Sequence, residues 1–269
     1  MVQILQETVY PMLVMGGLAV VFAIGLGIAG KVFYVYVDPK IKEVESALVG
    51  ANCGGCGFAG CSDCAQAVVE GRAPVSACVV GGAAVCEAVA KIMGVAVEER
   101  EKEVAVIRCR GGLDKANRRF EYMGIEDCRA AELVAGGNKG CSYGCLGLGT
   151  CVKSCPFGAL SMGKDGLPKV DEEKCTACGT CARVCPRGIP EVVPISQRVY
   201  TICSSHDMGK VVKSICEVGC IACGICKKVC PENAITIDKF LSLVDKEKCT
   251  LCGKCIEKCP TGVIQRIFS

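Results

Sequence analysis

The chain has no tryptophan, a single histidine (His206) and only 5% aromatic residues among its 269. One histidine excludes two-cysteine, two-histidine zinc arrays and Rieske centres, and the absence of any CxxCH removes c-type haem. There is no GxxxxGKS/T phosphate loop and no histidine-based acid–base constellation. An excess of charge of one sign is missing as well. With 31 basic and 28 acidic residues the net charge is +3, so nothing marks nucleic acid as a partner. Hydrophobic residues make up 51%, but with so few rings this content is Ala, Val and Cys rather than large core-filling groups. The fold is therefore expected to rest on something other than one big hydrophobic core, and disulfides or metals are the usual substitutes.

Cysteine is what the chain has instead, 26 in all. Before the first of them lies the longest uncharged run, the 23 residues from Thr8 to Gly30, long enough to cross a hydrocarbon core. The opening MVQILQE carries an acid and no base, and KVFYVYV follows the run, which predicts an uncleaved transmembrane helix within 1–35 rather than a signal peptide. Lys31, Lys40 and Lys42 follow the run and no Lys or Arg precedes it, so a single-pass protein with its large C-terminal part in the cytoplasm is expected, Tyr34 and Tyr36 lying near the interface. Gly25, Gly27 and Gly30 satisfy GxGxxG, but without the strand and soluble helix that a dinucleotide site requires. Ala19, Ala23 and Gly27, four residues apart, read better as a face for another membrane helix.

A cytoplasmic chain meets a reducing thiol pool, so its cysteines should be metal ligands rather than disulfides. Three stretches read CxxCxxCxxxC followed by proline: Cys175, Cys178, Cys181, Cys185; Cys220, Cys223, Cys226, Cys230; and Cys249, Cys252, Cys255, Cys259. This is the bacterial ferredoxin run, in which three thiolates hold one iron–sulfur cube and the fourth reaches a neighbouring one. An expanded copy precedes them, Cys141, Cys145, Cys151 and Cys155. The two-cluster pairing predicts four ligand sets: Cys141, Cys145, Cys151 with Cys185; Cys175, Cys178, Cys181 with Cys155; Cys220, Cys223, Cys226 with Cys259; and Cys249, Cys252, Cys255 with Cys230. GALSM-GKDG-LPKVD and AITI-DKF-LSLVD between the runs predict short hairpins. The expected architecture is thus α+β: two tandem ferredoxin-like modules at 136–200 and 213–269, a connecting region at 96–135, and a small helical 4Fe-4S domain at 36–95.

That helical domain carries Cys53, Cys56, Cys61 and Cys78, with Gly54, Gly55, Gly57 and Gly60 allowing a tight backbone, and predicts a fifth 4Fe-4S cluster. Cys64, Cys86, Cys109, Cys128, Cys203 and Cys216 are left over and are read as small buried hydrophobes, with a further metal site involving Cys109 and Cys128 left open. His206 is expected in an exposed loop. All-thiolate clusters pass single electrons and offer no open coordination position, so five in series predict a relay rather than an active site.

NCGGCGFAGCSDCA, YMGIEDCRAAELVAGG and KGCSYGCLGLGTCVKSCPFGAL, with the uncharged N-terminal helix and the ferredoxin runs, closely resemble the B subunits of Rnf electron-transport complexes over essentially the whole chain. The resemblance implies an iron–sulfur subunit of an ion-translocating ferredoxin:NAD oxidoreductase in the cytoplasmic membrane. Its implied partners are soluble ferredoxin, a flavin- and NAD-bearing C subunit and the A, D, E and G subunits in the membrane. The second ferredoxin pair, Cys220 to Cys259, departs from shorter members of the family. A relay for another redox enzyme and a zinc-based scaffold are the readings from other classes. Basic residues between the third and fourth cysteines of the runs, Lys153, Arg183, Lys227 and Lys228, are expected to guide an acidic ferredoxin.

Overall fold

The computed structural model describes residues 2–33, 36–97 and 101–268, which leaves Tyr34 outside the described residues. The chain divides into two compact units, Met1–Ile41 and Lys42–Ser269.

The first unit is built on α1 (Val2–Val32). Its stretch Met12–Val32 has a mean hydropathy of 2.4 over 21 residues, which at 1.5 Å per residue measures about 30 Å, the thickness of a hydrocarbon core. Lys31 in the last turn faces the negative end of the helix dipole. A Cβ placed on Gly16, Gly17, Gly25, Gly27 or Gly30 would meet nothing, so the small-residue face is open.

The second unit begins within α2 (Pro39–Ala47) and continues with α3 (Cys61–Val69) and α4 (Gly82–Met93), the last closed by Gly94 in the left-handed region. Strand β1 (Glu103–Ile107) and helix α5 (Cys128–Leu133) follow. The first ferredoxin-like stretch holds α6 (Thr150–Lys153), β2 (Leu160–Met162), β3 (Pro168–Val170), α7 (Thr180–Val184) and β4 (Pro190–Pro194). The second holds β5 (Val199–Thr201), α8 (Gly209–Ile215), α9 (Ile225–Val229), β6 (Ile235–Asp238), β7 (Leu241–Val244), α10 (Lys254–Glu257) and β8 (Ile264–Arg266).

All strands pair antiparallel in twos: β2 with β3, β6 with β7, β1 with β4 and β5 with β8. The first two pairs are the hairpins expected from the sequence, in register Leu160↔Val170 and Ile235↔Val244. The other two cut across the boundaries expected at 136, 200 and 213. Strand β1 of the supposed connecting region pairs with β4 (Val104↔Val193), and β5 pairs with β8 (Val199↔Arg266). Each module thus recruits a strand from before its first ferredoxin run. The apolar run EVAVI of β1, whose Val104, Ala105 and Val106 are all buried, supplies one of them.

The helices of the cysteine runs are only four or five residues long, for a reason visible at both ends. Each starts after a glycine with left-handed φ (Gly149, 72°; Gly179, 70°; Gly224, 75°; Gly253, 80°). Each must stop before a CP pair, because a residue preceding proline is driven out of the helical region. Cys185 and Cys230 accordingly have ψ of 116° and 114°. That extended turn aims the fourth thiol of a run away from the first three. The apolar core is correspondingly broken into small clusters in which cysteines are themselves packing members, such as Cys220, Cys226 and Cys255 with Val199, Ile235, Leu241 and Ile264.

Candidate iron–sulfur sites

All 26 cysteines are free thiols. Among the described residues no three His, Cys, Asp or Glu side chains gather tightly enough to hold one metal ion. Tetrahedral zinc with bonds of about 2.3 Å would bring its sulfurs within about 3.8 Å of each other. The thiols stand instead around the walls of cavities, which suits a cube of iron and sulfide better than a single ion.

Four cavities show this. One is lined by Cys220, Cys223, Cys226 and Cys259 (about 330 Å³), and a second by Cys249, Cys252, Cys255 and Cys230 (about 330 Å³). Here the structure brings together the residues grouped from sequence, the fourth thiol crossing between runs. The left-handed residues Ala222 (51°) and Leu251 (58°) make the tight turn inside the first CxxC of each run. Such turns align successive backbone N–H groups towards a bound anion. Amides also aim at thiol sulfur: Ala234 N–H donates to Cys230 Sγ at 3.3 Å and Ile189 N–H to Cys185 Sγ at 3.4 Å.

The third cavity, about 390 Å³, corrects one expectation. It is lined by Cys145, Cys151 and Cys185 together with Cys128, not Cys141. Cys128 opens α5, where Asp127 caps the helix and Thr150 Oγ1 accepts the Cys128 amide at 2.7 Å. Cys141, four residues before Cys145, points elsewhere.

It lines the fourth cavity, about 400 Å³, with Cys109, Cys203 and Cys216. These three, expected from the sequence to be small buried hydrophobes, come from segments too far apart for any spacing motif. Two of their sulfurs collect backbone amides. Cys203 Sγ accepts the amides of both Ser205 and Cys220 at 3.4 Å, and Cys109 Sγ accepts that of Cys145 at 3.4 Å. Like the cavities of the ferredoxin runs, this one has four cysteines on its walls, the donor set that a 4Fe-4S cluster takes. Arg108, on its wall, has a buried Nε without an acceptor.

Cys175 and Cys181 pack with Cys155 and with Cys151 of the third cavity. Cys178, buried, caps the neighbouring side, its Sγ 3.4 Å from Thr180 Oγ1. The buried Thr176 hydroxyl between Cys175 and Cys178 also lacks a partner, a second orphaned polar atom beside a cysteine loop. Upstream, Cys56, Cys61 and Cys78 surround a fifth thiol, Cys64, whose pKa is pushed up to about 12 by burial and then by Cys56. Cys53 is half-buried in the loop ahead of them. Gly55 lies so close to Cys178 that a Cβ there would sit 2.9 Å from the Cys178 Cβ, which places this segment directly against the 175–181 loop. Cys86 packs with Val89 and Ala90 on the buried face of α4, as expected of a small hydrophobe.

Burial raises the thiols that line these cavities: Cys145 and Cys181 to about 12, Cys151, Cys203 and Cys226 to about 11. These five thiols are therefore protonated at neutral pH without a metal, and loading them must release protons, whereas, against burial, backbone amides and Thr261 lower Cys259. His206 is exposed, its Nδ1 3.0 Å from the Lys239 carbonyl and its ring edge-on to Tyr143 at 5.5 Å.

Two antiparallel modules with crossed cysteine runs, preceded by a compact CxxC helical segment, define a multi-cluster iron–sulfur protein of the ferredoxin type. Comparison with known proteins agrees: residues 139–189 and 219–263 match the 4Fe-4S dicluster domain family, and residues 48–80 match an Fe-S cluster domain family. The B subunit of the ion-translocating oxidoreductase complex of Methanosarcina acetivorans is 49% identical over 237 residues, 88% of this chain and 90% of that protein. The B subunit of the Na⁺-translocating ferredoxin:NAD⁺ oxidoreductase complex of Acetobacterium woodii is 47% identical over 91% of this chain and 74% of its own length. Its counterpart in the proton-translocating complex of Clostridium ljungdahlii is 48% identical over 88% and 84%. The chain belongs to the family of B subunits of ion-translocating oxidoreductase (Rnf) complexes.

Proposed function

We propose that this chain is a six-station, one-electron relay that takes electrons from reduced ferredoxin and passes them within a complex that reduces NAD⁺ and moves an ion. The observation that supports it is that four cavities are each lined by four cysteines. To the five sets read from sequence, with Cys128 in place of Cys141, this reading adds Cys109, Cys141, Cys203 and Cys216, which line one cavity. Each set would hold one 4Fe-4S cluster, which when bound supplies reversible one-electron storage; the chain supplies thiolates, amide donors and exclusion of water.

Contacts arrange the sets in series. Gly55 of the N-terminal segment abuts Cys178, Cys181 packs near Cys151, the Cys145 amide donates to Cys109, and the Cys220 amide donates to Cys203. At the far end Cys223 and Cys252 are exposed, so ferredoxin is read as docking there. Lys227 and Lys228 stand exposed beside Cys226 and form no ion pair among the described residues. Lys153 and Arg183 are engaged instead, with Glu126 and with the Cys178 carbonyl and Thr180, and drop out of the guiding role expected of them. Helix α1 would anchor the relay in a single pass, with Lys31, Lys40 and Lys42 on the cytoplasmic side and its small-residue face packed on a membrane partner. The flavin- and NAD-bearing C subunit and the A, D, E and G subunits are the partners this assembly calls for. Identity is nearly equal to a Na⁺-type and a proton-type relative, which fits a subunit that carries electrons and leaves ion choice to others.

Iron and acid-labile sulfide analysis of the anaerobically reconstituted full chain tests the count. About 24 of each per chain is expected from four per cluster, and about 20, unchanged in Cys203→Ala, would overturn the sixth station.

A further inference from the structure

Lys139 is buried, 8% exposed, yet it forms no ion pair with a carboxylate among the described residues. Its ammonium donates to the carbonyls of Gly111 and, at 2.6 Å, of Cys145. Two carbonyls satisfy donors but not charge, and burying an ammonium without a counter-ion is costly enough that an anion is expected beside it. The surrounding wall is that of the Cys109, Cys141, Cys203 and Cys216 cavity, which Lys139 lines together with Arg108 and Arg110. Arg108 is partly neutralised by Glu191 at 2.9 Å, and Arg110 donates to the Gly262 carbonyl. On the negative side, Asp207 acts on Cys141. The two cavities of the C-terminal runs have no charged residue on their walls, and the Cys128 cavity has Arg187 alone.

This cavity is also where the two modules meet. Its walls come from the segment after β1 that holds Cys109, from the first module with Lys139 and Cys141, and from the second with Cys203 and Cys216. Two of its sulfurs take amides from cysteines of neighbouring cavities, Cys109 from Cys145 on one side and Cys203 from Cys220 on the other. These two hydrogen bonds link the cavity to one cavity of each module.

We infer that the buried charge of Lys139 sets the potential of the group held by Cys109, Cys141, Cys203 and Cys216, making it the electron-holding junction between the two ferredoxin modules. The inference rests on the six-station reading. Positive charge favours the reduced, more negative state of the group, so its potential is raised. One electron arrives from the Cys220 side and one leaves to the Cys145 side; no bond is made or broken. Lys139 is thus a positioning residue that acts through charge, and not a ligand.

The test is an EPR-monitored redox titration of the reconstituted full chain, with the junction signal identified as the one lost in Cys203→Ala. In Lys139→Gln, which keeps a hydrogen-bond donor but no charge, the junction midpoint should move to lower potential while the other signals stay in place. In Lys139→Arg it should stay near that of the parent. Unchanged midpoints in a fully loaded Lys139→Gln overturn the inference, as does an equal fall in Lys139→Arg, which would make the effect one of shape. Should Lys139→Gln fail to load, Lys139→Met keeps the length of the side chain without its charge, and an unmoved junction midpoint there overturns the inference too. A parent with about 20 iron in which Cys203→Ala loses no signal is a different result: it sinks the sixth station itself, and the role of Lys139 with it.

Discussion

The backbone amide of Cys220 donates to Sγ of Cys203 at 3.4 Å, across 17 residues of chain. A sulfur that collects this amide and that of Ser205 is prepared to carry negative charge, which an ordinary packing cysteine is not. Cys203→Ala should therefore cost about four iron per chain and one EPR signal. Cys86→Ala, on the apolar face of α4, should cost no iron and only about 1 kcal/mol of stability. Equal iron in the two variants would remove the distinction.

Crossed ligation gives a second expectation. Cys230 lines the cavity of Cys249, Cys252 and Cys255, and Cys259 that of Cys220, Cys223 and Cys226. Cys230→Ala and Cys259→Ala should each damage the site of the other run. EPR of the two variants should show different signals missing, the Cys230 variant sharing its loss with Cys252→Ala.

Gly55 is required for closeness, since a Cβ would fall 2.9 Å from Cys178 Cβ and 3.1 Å from its carbonyl oxygen. Gly55→Ala should push the N-terminal segment away from the 175–181 loop with iron content retained. Electron transfer across that step should slow, visible in freeze-quench EPR as a lag in reduction of the N-terminal signal after ferredoxin is added.

The two-residue turn between β6 and β7 uses Lys239 (φ 41°) and Phe240 (φ 63°), left-handed positions that side chains adopt at a cost. Replacing the pair by Asn-Gly suits that turn and should stabilise the loaded protein by about 1 kcal/mol, measured by thermal unfolding. The His206 contact is to the Lys239 carbonyl and survives the change.

Lys227 and Lys228, exposed and free of ion pairs among the described residues, should speed association with an acidic ferredoxin. Reversal of both to Glu should lower the stopped-flow rate of ferredoxin oxidation several-fold at low salt and converge with the parent at high salt. The same reversal at Lys153, which is held by Glu126, should do much less.

What is legible in the sequence is local. Spacing alone marks three thiols on one turn, and the proline after the fourth marks the bend that sends it to another site. The exchange of Cys141 for Cys128 is not legible, because Cys141, Cys145 and Cys151 imitate a ferredoxin run while the true neighbour of Cys145 arrives on a separate helix 17 residues earlier. Nor is the fourth cavity, whose thiols come from four segments joined only by tertiary packing. One signal does point towards it: EVAVI is a short apolar run of the kind a buried strand makes, and the pairing with β4 that buries it carries Cys109 into the fold.

The broken core has a consequence for how this chain survives. In a reducing compartment each set of four thiols would tie together points as distant as Cys109 and Cys216, which is what disulfides do for secreted proteins of this size. The bound groups would then be rivets as well as conductors, and folding energy would be borrowed from iron. Oxygen, by dissolving a cluster, should cut the wire and unfasten the scaffold in one event, so that air-exposed protein is recognised by proteases at the same cysteine loops where current stops.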